Sequence, residues 1–257
     1  MTDNDKHRGR APGDEPLFAP AALEVLRVAV AELSWLLDRG YSQRAALTLV
    51  GDHHELRARQ RLAVLRCACG EAERVSRQAR RLTLGELRGR EVAVDGFNCL
   101  ITVEAALGGG LLLRGRDGVL RDLASVHGSY RGVAETEPAI RAMGAVLASA
   151  APAVVRIFLD RPVSNSGRVR QLMEVVAAQA GWPWQVRLAD NPDREVLAST
   201  GWVAASSDGA ILDRCGPWVA LSEAIVAAHA PAAWIVDLGG LDPPGALIDR
   251  RISDGGG

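Results

Sequence analysis

The chain has 257 residues, of which 48% are hydrophobic, and a formal net charge of −1. This length suits one large or two modest domains, and the apolar content is ample for a buried core. The near-neutral charge excludes both a globally basic nucleic-acid binder and an acidic tail protein. Basic charge is almost entirely arginine, which together with the abundance of alanine we attribute to a GC-rich genome.

The first part of the chain is predicted to be a disordered tail followed by a small helical domain. Residues 1–17 are polar and rich in charge, a composition typical of disorder. Residues 18–88 form an arginine-rich segment with helical periodicity. Its first helix begins near Pro20, carries apolar residues at three- and four-residue spacing, and ends at Gly40.

Two more helices are predicted in this domain. Ser42 is positioned to cap a short helix, and Asp52 with Glu55 resembles a capping box that opens one long helix through the arginine-rich stretch. His53 and His54 are adjacent, so their side chains leave a helix in different directions and lack the spacing of metal ligands.

From residue 89 to residue 247 strand-like and helix-like runs alternate. The strand-like runs are EVAVD, LLLR, VVRIFLD, WQVRLAD, WVAASSD and WIVDL, and helical stretches are predicted between them, including 118–125 and 137–149. Alternation of this kind predicts βαβ units, and therefore a three-layer αβα domain with a mainly parallel sheet. Residues 248–257 are predicted to be a flexible tail.

The strand-like runs EVAVD, VVRIFLD and WVAASSD end at Asp95, Asp160 and Asp208, and Asp213 follows in the next helix. Because ligands of open α/β sheets bind beyond the carboxyl ends of the strands, these carboxylates should converge. A divalent cation relieves their repulsion, and oxygen ligands favour Mg²⁺ or Mn²⁺, which can activate water for phosphodiester cleavage. The alternative is that each aspartate caps the helix after its strand.

The motifs VAVDGFN, IFLDRPVSNSG and SSDGAILDR resemble the strand-end motifs of PIN-like nucleases. Together with LVGDHHELRARQRLAVLRC upstream, their order is similar to an uncharacterised prokaryotic family in which a domain of unknown function 434 precedes a PIN-like domain. The resemblance implies a PIN-like domain over 89–247, with the same four aspartates as catalytic metal ligands. It also implies a further acid from a helix after the first strand, for which Glu104, Asp117 and Asp122 are the candidates.

Several polar residues near the strand ends are candidates for phosphate binding. They are Asn98, Ser164, Ser166, Gly167 and Arg168. The last four surround a predicted helix start, where backbone amides and small residues favour anions. Helix capping is the alternative function of Asn98 and of the serines.

The segment from residue 57 to residue 90 contains ten arginines and three glutamates. A stripe of this kind attracts a phosphate backbone, with Arg57, Arg59, Arg61 and Arg66 as the predicted nucleic-acid contacts. The segment contains no aromatic residue for base stacking. The alternative is a solvated helix face, or one whose arginines pair with acidic residues.

These patterns predict a metal-dependent phosphodiesterase, specifically a ribonuclease, with a non-catalytic nucleic-acid- or protein-binding module as the alternative. A haloacid-dehalogenase-type phosphatase is disfavoured because Phe97 stands where that chemistry needs a second acid, and no GxGxxG motif supports a dinucleotide enzyme. The four cysteines form no CxxC pair, and neither an apolar signal segment nor a run long enough to span a bilayer is present. We therefore expect a cytoplasmic protein without a membrane partner.

Overall fold

The computed structural model describes residues 6–124 and 130–240, which divide into two compact units. The α/β unit contains the described residues of 1–11, 79–112 and 120–234. The helical unit contains the described residues of 12–78, 113–119 and 235–257. Within the described part of the chain, no helix is both long and apolar enough to cross a membrane. The tail predicted at 248–257 lies outside the described residues.

The helical unit begins with five helices. They are α1 (Asp14–Leu17), α2 (Pro20–Asp38), α3 (Gln43–His53), α4 (Ala58–Cys67) and α5 (Glu71–Ala79). Proline at the first position of α2 suits a residue without an N–H, and Gly40 just after this helix takes a left-handed φ of 77°. The Ser42 hydroxyl accepts the Ala45 N–H and caps α3, as its position in the sequence predicts.

Two predictions for this region are wrong. The single long helix predicted from Asp52 does not form. Asp52 belongs to the end of α3, and Glu55, with a left-handed φ of 51°, separates α3 from α4. A second break divides α4 from α5, because Ala68 at the end of α4 has an extended backbone with φ −80° and ψ 142°. The described part of the 1–17 segment is not a disordered tail. Asp14 is buried in the helical unit and forms an ion pair with Arg59.

The α/β unit alternates strands and helices after its first short strand. The strands from here to the end of the described chain are β1 (Arg81–Leu82), β2 (Glu91–Asp95), β3 (Leu112–Arg114), β4 (Leu120–Asp122), β5 (Val154–Asp160), β6 (Trp184–Ala189), β7 (Val203–Ala205), β8 (Trp218–Val219) and β9 (Ile235–Asp237). Most of β3 and all of β9 belong to the residues of the helical unit. The helices are α6 (Gly96–Leu107), α7 (Thr136–Ala150), α8 (Ser166–Ala180), α9 (Pro192–Ala198), α10 (Gly209–Leu212) and α11 (Leu221–His229). Six strands form one sheet in the order β1-β8-β7-β2-β5-β6, and its described pairings are parallel.

The two faces of this sheet differ in chemistry. Val94, Ile157 and Val186 lie on one face and join the main apolar core with residues of α6, α7, α8 and α11. The register pairs Asp95 with Phe158, and Phe158 with Arg187, so these three side chains share the opposite face. The short helix α9 packs on that opposite face, against β2, β5 and β6.

Three features of this region differ from the sequence prediction. The stretch 118–125, predicted as helical, contains the strand β4, because three residues are too few to distinguish the two periods. The two-residue strands β1 and β8 extend the sheet, and β1 lies inside the segment predicted to be helical. The strand β9, which was predicted as the last of the series, is not part of the six-stranded sheet.

Candidate acidic metal centre

Asp95 is the buried base of the candidate site. It ends β2 and is 6% exposed. The Ser206 hydroxyl donates a hydrogen bond of 2.9 Å to its Oδ2. Asp95 stands at the N-cap position of α6, but its side chain makes no capping hydrogen bond. The capping alternative therefore does not account for this carboxylate.

Three other aspartates act on Asp95 electrostatically. Burial raises the pKa of Asp95 to about 7, and the Ser206 hydrogen bond opposes this shift. The charges of Asp193, Asp160 and Asp208 raise the same pKa further. Because each of these charges disfavours ionisation of the buried carboxyl, the four aspartates form one electrostatic cluster.

Two outer members of the cluster, Asp193 and Asp160, also have raised pKa values. Desolvation raises the pKa of Asp193, although its side chain keeps considerable contact with solvent, and the charges of Asp208 and Asp160 add to the shift. Burial also raises the pKa of Asp160. At the carboxyl edge of the sheet, the buried Asp95 is thus accompanied by the partly buried Asp160 and by two exposed carboxylates, those of Asp193 and Asp208.

Asp208 and Asp213 differ in their positions. Asp208 caps α10, since its Oδ1 accepts the N–H groups of Ala210 at 2.7 Å and Ile211 at 3.4 Å. Asp213 is exposed at the end of α10 and is not among the charges that shift the pKa of Asp95. Burial raises the pKa of the Cys215 thiol, and the charge of Asp213 adds to this shift.

Asp193 is the member of the cluster that sequence reasoning missed. It follows Pro192 in the first turn of α9, directly after β6, which is the neighbour of β5 in the sheet. A search for aspartates at the ends of strands does not find Asp193, because β6 ends at Ala189 and Asp193 belongs to the helix that follows. The usable signal was an acidic residue in the first turn of a helix that begins at the same sheet edge.

The three candidates for the further acid all have structural partners. Glu104 is fully buried and accepts hydrogen bonds from Tyr130, Thr136 and Arg8; burial raises its pKa against the effect of these three groups. Asp117 belongs to the helical unit and pairs with Arg77 at 2.6 Å. None of the three candidates is among the charges that shift the pKa of Asp95.

Asp122 and Asn98 support α6 and the loop after β7. Asp122 accepts hydrogen bonds of 2.9 Å from the Thr102 hydroxyl and 2.7 Å from the Ala124 N–H. Asn98 Oδ1 accepts the Ser207 N–H at 2.8 Å and the Ser207 hydroxyl at 2.9 Å. Asn98 therefore does not cap α6. It ties α6 to the residue that precedes Asp208.

The phosphate-binding candidates after β5 lie at the start of α8. Ser166 is buried and its hydroxyl donates to the Arg161 carbonyl at 3.4 Å, while the Ser164 carbonyl accepts the Tyr130 N–H. Gly167 has open space where a Cβ would stand. Arg168 lines a cavity of about 810 Å³ with residues of α7 and α8, helices that pack on the face opposite Asp95.

The arginine stripe is partly used within the helical unit. Arg59 pairs with the buried Asp14, and Arg61 pairs with Asp52 at 2.6 Å. The Arg57 N–H donates to a glutamine side chain within α4, and Arg66 has its own interactions among the described residues. Arg59 and Arg61 thus have ion-pair partners that a phosphate backbone would have to displace.

A second group of possible metal ligands lies in the helical unit. Glu32, His53 and His54 each offer a ligand atom, and these atoms lie within 4.8 Å of one another. His54 Nε2 is 2.7 Å from Glu32 Oε2. The sequence predicted that these adjacent histidines lack the spacing of metal ligands. In the structure His53 is the last residue of α3 and His54 follows it, and both offer ligand atoms near Glu32 despite their adjacent positions.

Comparisons with known proteins identify the chain by family. The fold and its acidic edge define an α/β protein with an N-terminal helical region, and residues 84–224 match the family described as "Domain of unknown function (DUF5616)". This match covers more than half of the chain, so the protein belongs to that family. Residues 25–80 match "Protein of unknown function (DUF434)". An uncharacterized protein of Methanocaldococcus jannaschii is 28% identical over 185 residues, which are 70% of this chain and 86% of that relative. No solved structure matches the chain.

Proposed function

We propose that the protein is a metal-dependent phosphodiesterase of PIN-like type that cleaves RNA. The observation that carries the proposal is the buried carboxyl of Asp95, whose pKa is raised to about 7 by burial and by three neighbouring aspartates. Titratable groups with strongly shifted pKa values that gather at one edge of a fold are typical of functional sites.

The topology supports this location for a site. Counted from β2, the parallel strands β6-β5-β2-β7-β8 follow the order 3-2-1-4-5. The strand order reverses between β2 and β7, and such a switch point opens a crevice at the carboxyl ends of the strands. Asp95 ends β2, and Asp208 follows β7, so both lie at this crevice.

The side chains fit a hard divalent cation. The cluster offers carboxylate oxygens, and no arginine or lysine is among the groups that shift the pKa of Asp95, Asp160 or Asp193. Mg²⁺ and Mn²⁺ prefer oxygen ligands and would neutralise the charge repulsion that adds to the raised pKa values of Asp95 and Asp193. Asp95, Asp160, Asp193 and Asp208 would hold the ion. When bound, it would supply an activated water and charge neutralisation for a phosphodiester.

Residues around the aspartates prepare this arrangement. The hydrogen bond from Ser206 fixes one oxygen of Asp95, and the bonds between Ser207 and Asn98 fix the loop that carries Asp208. The Arg121 Nε donates to the Ser207 carbonyl at 2.8 Å and braces the same loop. Preorganised side chains of this kind reduce the rearrangement that a bound ion or phosphate would require.

A non-catalytic binding module remains the second candidate. One observation favours it: Glu104, Asp117 and Asp122 are all engaged in hydrogen bonds or ion pairs of the fold, so the acid that the PIN resemblance expects from an early helix is not supplied by them. Asp193 offers a carboxylate from a later helix instead.

We place the protein in the reducing cytoplasm, which accords with four cysteines that are not joined in disulfides.

The test is incubation of the purified protein with mixed-sequence RNA and Mn²⁺. We expect cleavage by the wild type and a loss of more than about a hundredfold in Asp95→Asn/Asp208→Asn and in Asp193→Asn, because stabilising charge near the reacting phosphate is removed. Asp213→Asn, a matched change outside the cluster, should retain activity. Cleavage that persists in the double variant would refute the proposal. RNA binding without cleavage and without a Mn²⁺-dependent rise in melting temperature would support the non-catalytic module.

A further inference from the structure

A groove of about 680 Å³ lies on the sheet face that carries Asp95 and Asp160. Residues of β5, β6 and α9 line it, and its floor includes Arg156, Phe158 and Arg187. Strands of a parallel sheet are normally buried on both faces and are apolar throughout. The half-buried Arg156 of β5 and the exposed Arg187 of the edge strand β6 depart from this pattern.

The groove and the acidic centre are continuous along this face. In β5 the residues Arg156, Phe158 and Asp160 alternate onto one side, and the register places Arg187 beside Phe158. Helix α9 contributes to both features, because Asp193 stands in its first turn and residues of its last turn line the groove. One surface thus leads from the arginines to the carboxylates.

Two of the groove's arginines, Arg156 and Arg161, have partners within the fold, and a third, Arg187, is exposed to solvent. The Arg156 guanidinium stands 4.4 Å from the centre of the Trp202 ring and donates to Gln185 at 3.0 and 3.1 Å. Arg161 follows Asp160 directly and pairs with Asp190 at 3.0 Å, with 59% of its side chain exposed. The exposed side chain of Arg187 has no hydrogen-bond or ion-pair partner among the described residues.

We propose that this groove binds a single-stranded polynucleotide, with a phosphate against Arg187 and a base on Trp202. Three arginines and two acids, Asp190 and Glu195, line the groove, which leaves an excess of one positive charge. Positive charge combined with an aromatic platform is the arrangement by which proteins hold single strands, since unpaired bases expose a face for stacking. A duplex would keep its bases stacked internally and could not use Trp202 in this way. The direction of the strand towards the carboxylates rests on the proposed function, whereas binding itself does not.

Binding is measured by fluorescence anisotropy with a labelled mixed-sequence single-stranded RNA in EDTA, which prevents cleavage. We expect Arg187→Glu and Trp202→Ala to weaken binding by about tenfold or more, because a charge contact and a stacking contact are lost. A plot of log affinity against log salt concentration has a negative slope, and its magnitude should be smaller by roughly 1 in Arg187→Glu. The matched control is Arg141→Glu, which makes the same charge change at an exposed arginine of α7, on the other side of the sheet.

The outcomes separate the groove from the catalytic proposal. Equal weakening by Arg187→Glu and Arg141→Glu, or no binding by the wild type, would overturn the groove. Because Arg187 is exposed, its replacement tests the groove even where Trp202→Ala lowers the melting temperature. Asp95→Asn should bind at least as tightly as the wild type in EDTA. Binding that depends on Arg187 without any Mn²⁺-dependent cleavage would support the groove and refute the nuclease.

Discussion

Replacement of Asp95 by asparagine should stabilise the metal-free protein at pH 8. Asparagine has the same shape and its Oδ1 can still accept the Ser206 hydroxyl, so the hydrogen bond of 2.9 Å can persist. What disappears is a negative charge that burial disfavours most and that three nearby aspartates disfavour further. The substitution therefore removes an electrostatic penalty and preserves the local packing.

The magnitude follows from the shifted pKa of Asp95. Its pKa rises from 3.8 to about 7 on folding, a difference of about 3 pKa units, which corresponds to a free energy on the order of 4 kcal/mol. Between about pH 4 and pH 7 the folded state holds a proton that the unfolded state has lost. The free energy of unfolding therefore falls as pH rises through this window, and the full penalty is present above pH 7.

The assay is thermal unfolding at several pH values in EDTA. Asp95→Asn should melt higher than the wild type at pH 8, by on the order of 10 °C, and the difference should vanish towards pH 4. Asp213→Asn, an exposed change at the end of α10, should leave the melting temperature nearly unaltered. Equal melting of Asp95→Asn and wild type at pH 8 would refute the electrostatic reasoning. Excess Mn²⁺ should narrow the gap by stabilising only the wild type.

Two further predictions concern the packing of the α/β unit. Arg8→Ala leaves the fully buried Glu104 carboxylate without its cation and should destabilise the α/β unit by about 3 kcal/mol. The effect is measured by thermal unfolding, and adding Glu104→Gln should restore part of the stability. An unchanged melting temperature in Arg8→Ala would contradict this prediction. Gly96→Ala should destabilise by about 2 kcal/mol, since the new Cβ would stand 2.6 Å from the Phe158 carbonyl oxygen. The control is Gly167→Ala, whose new Cβ meets open space and should stabilise α8 by roughly 0.5 kcal/mol. Equal changes in stability in Gly96→Ala and Gly167→Ala would contradict the steric argument.

The strand-end positions of the carboxylates followed from local patterns in the sequence. The runs that form β2 and β5 are apolar, end in aspartate and precede helices, and parallel strands bring such ends to one edge. Asp193 did not follow from this rule, because its place depends on how α9 packs across β2, β5 and β6. That packing is a tertiary property, and the sequence of α9 shows only an acidic first turn.

The shortest strands were beyond sequence reasoning for a related reason. β1 and β8 have two residues each, and their pairing joins segments more than 130 positions apart. A run of two residues carries no periodicity, so only the completed sheet defines it. The stretch at β4 was misassigned because three buried residues in a row fit a strand or a helix equally well.

The brevity of α9 has a consequence for how relatives of this protein can diverge. The connection from Asp190 to Trp202 contains a helix of only seven residues, and Arg187 of β6 beside it is exposed. Two additional helical turns would lengthen it by about 11 Å and roof over Arg187. The length of this connection therefore determines whether the side chain at position 187 is exposed. An alignment of family members should show arginine or lysine at position 187 only where the connection is short.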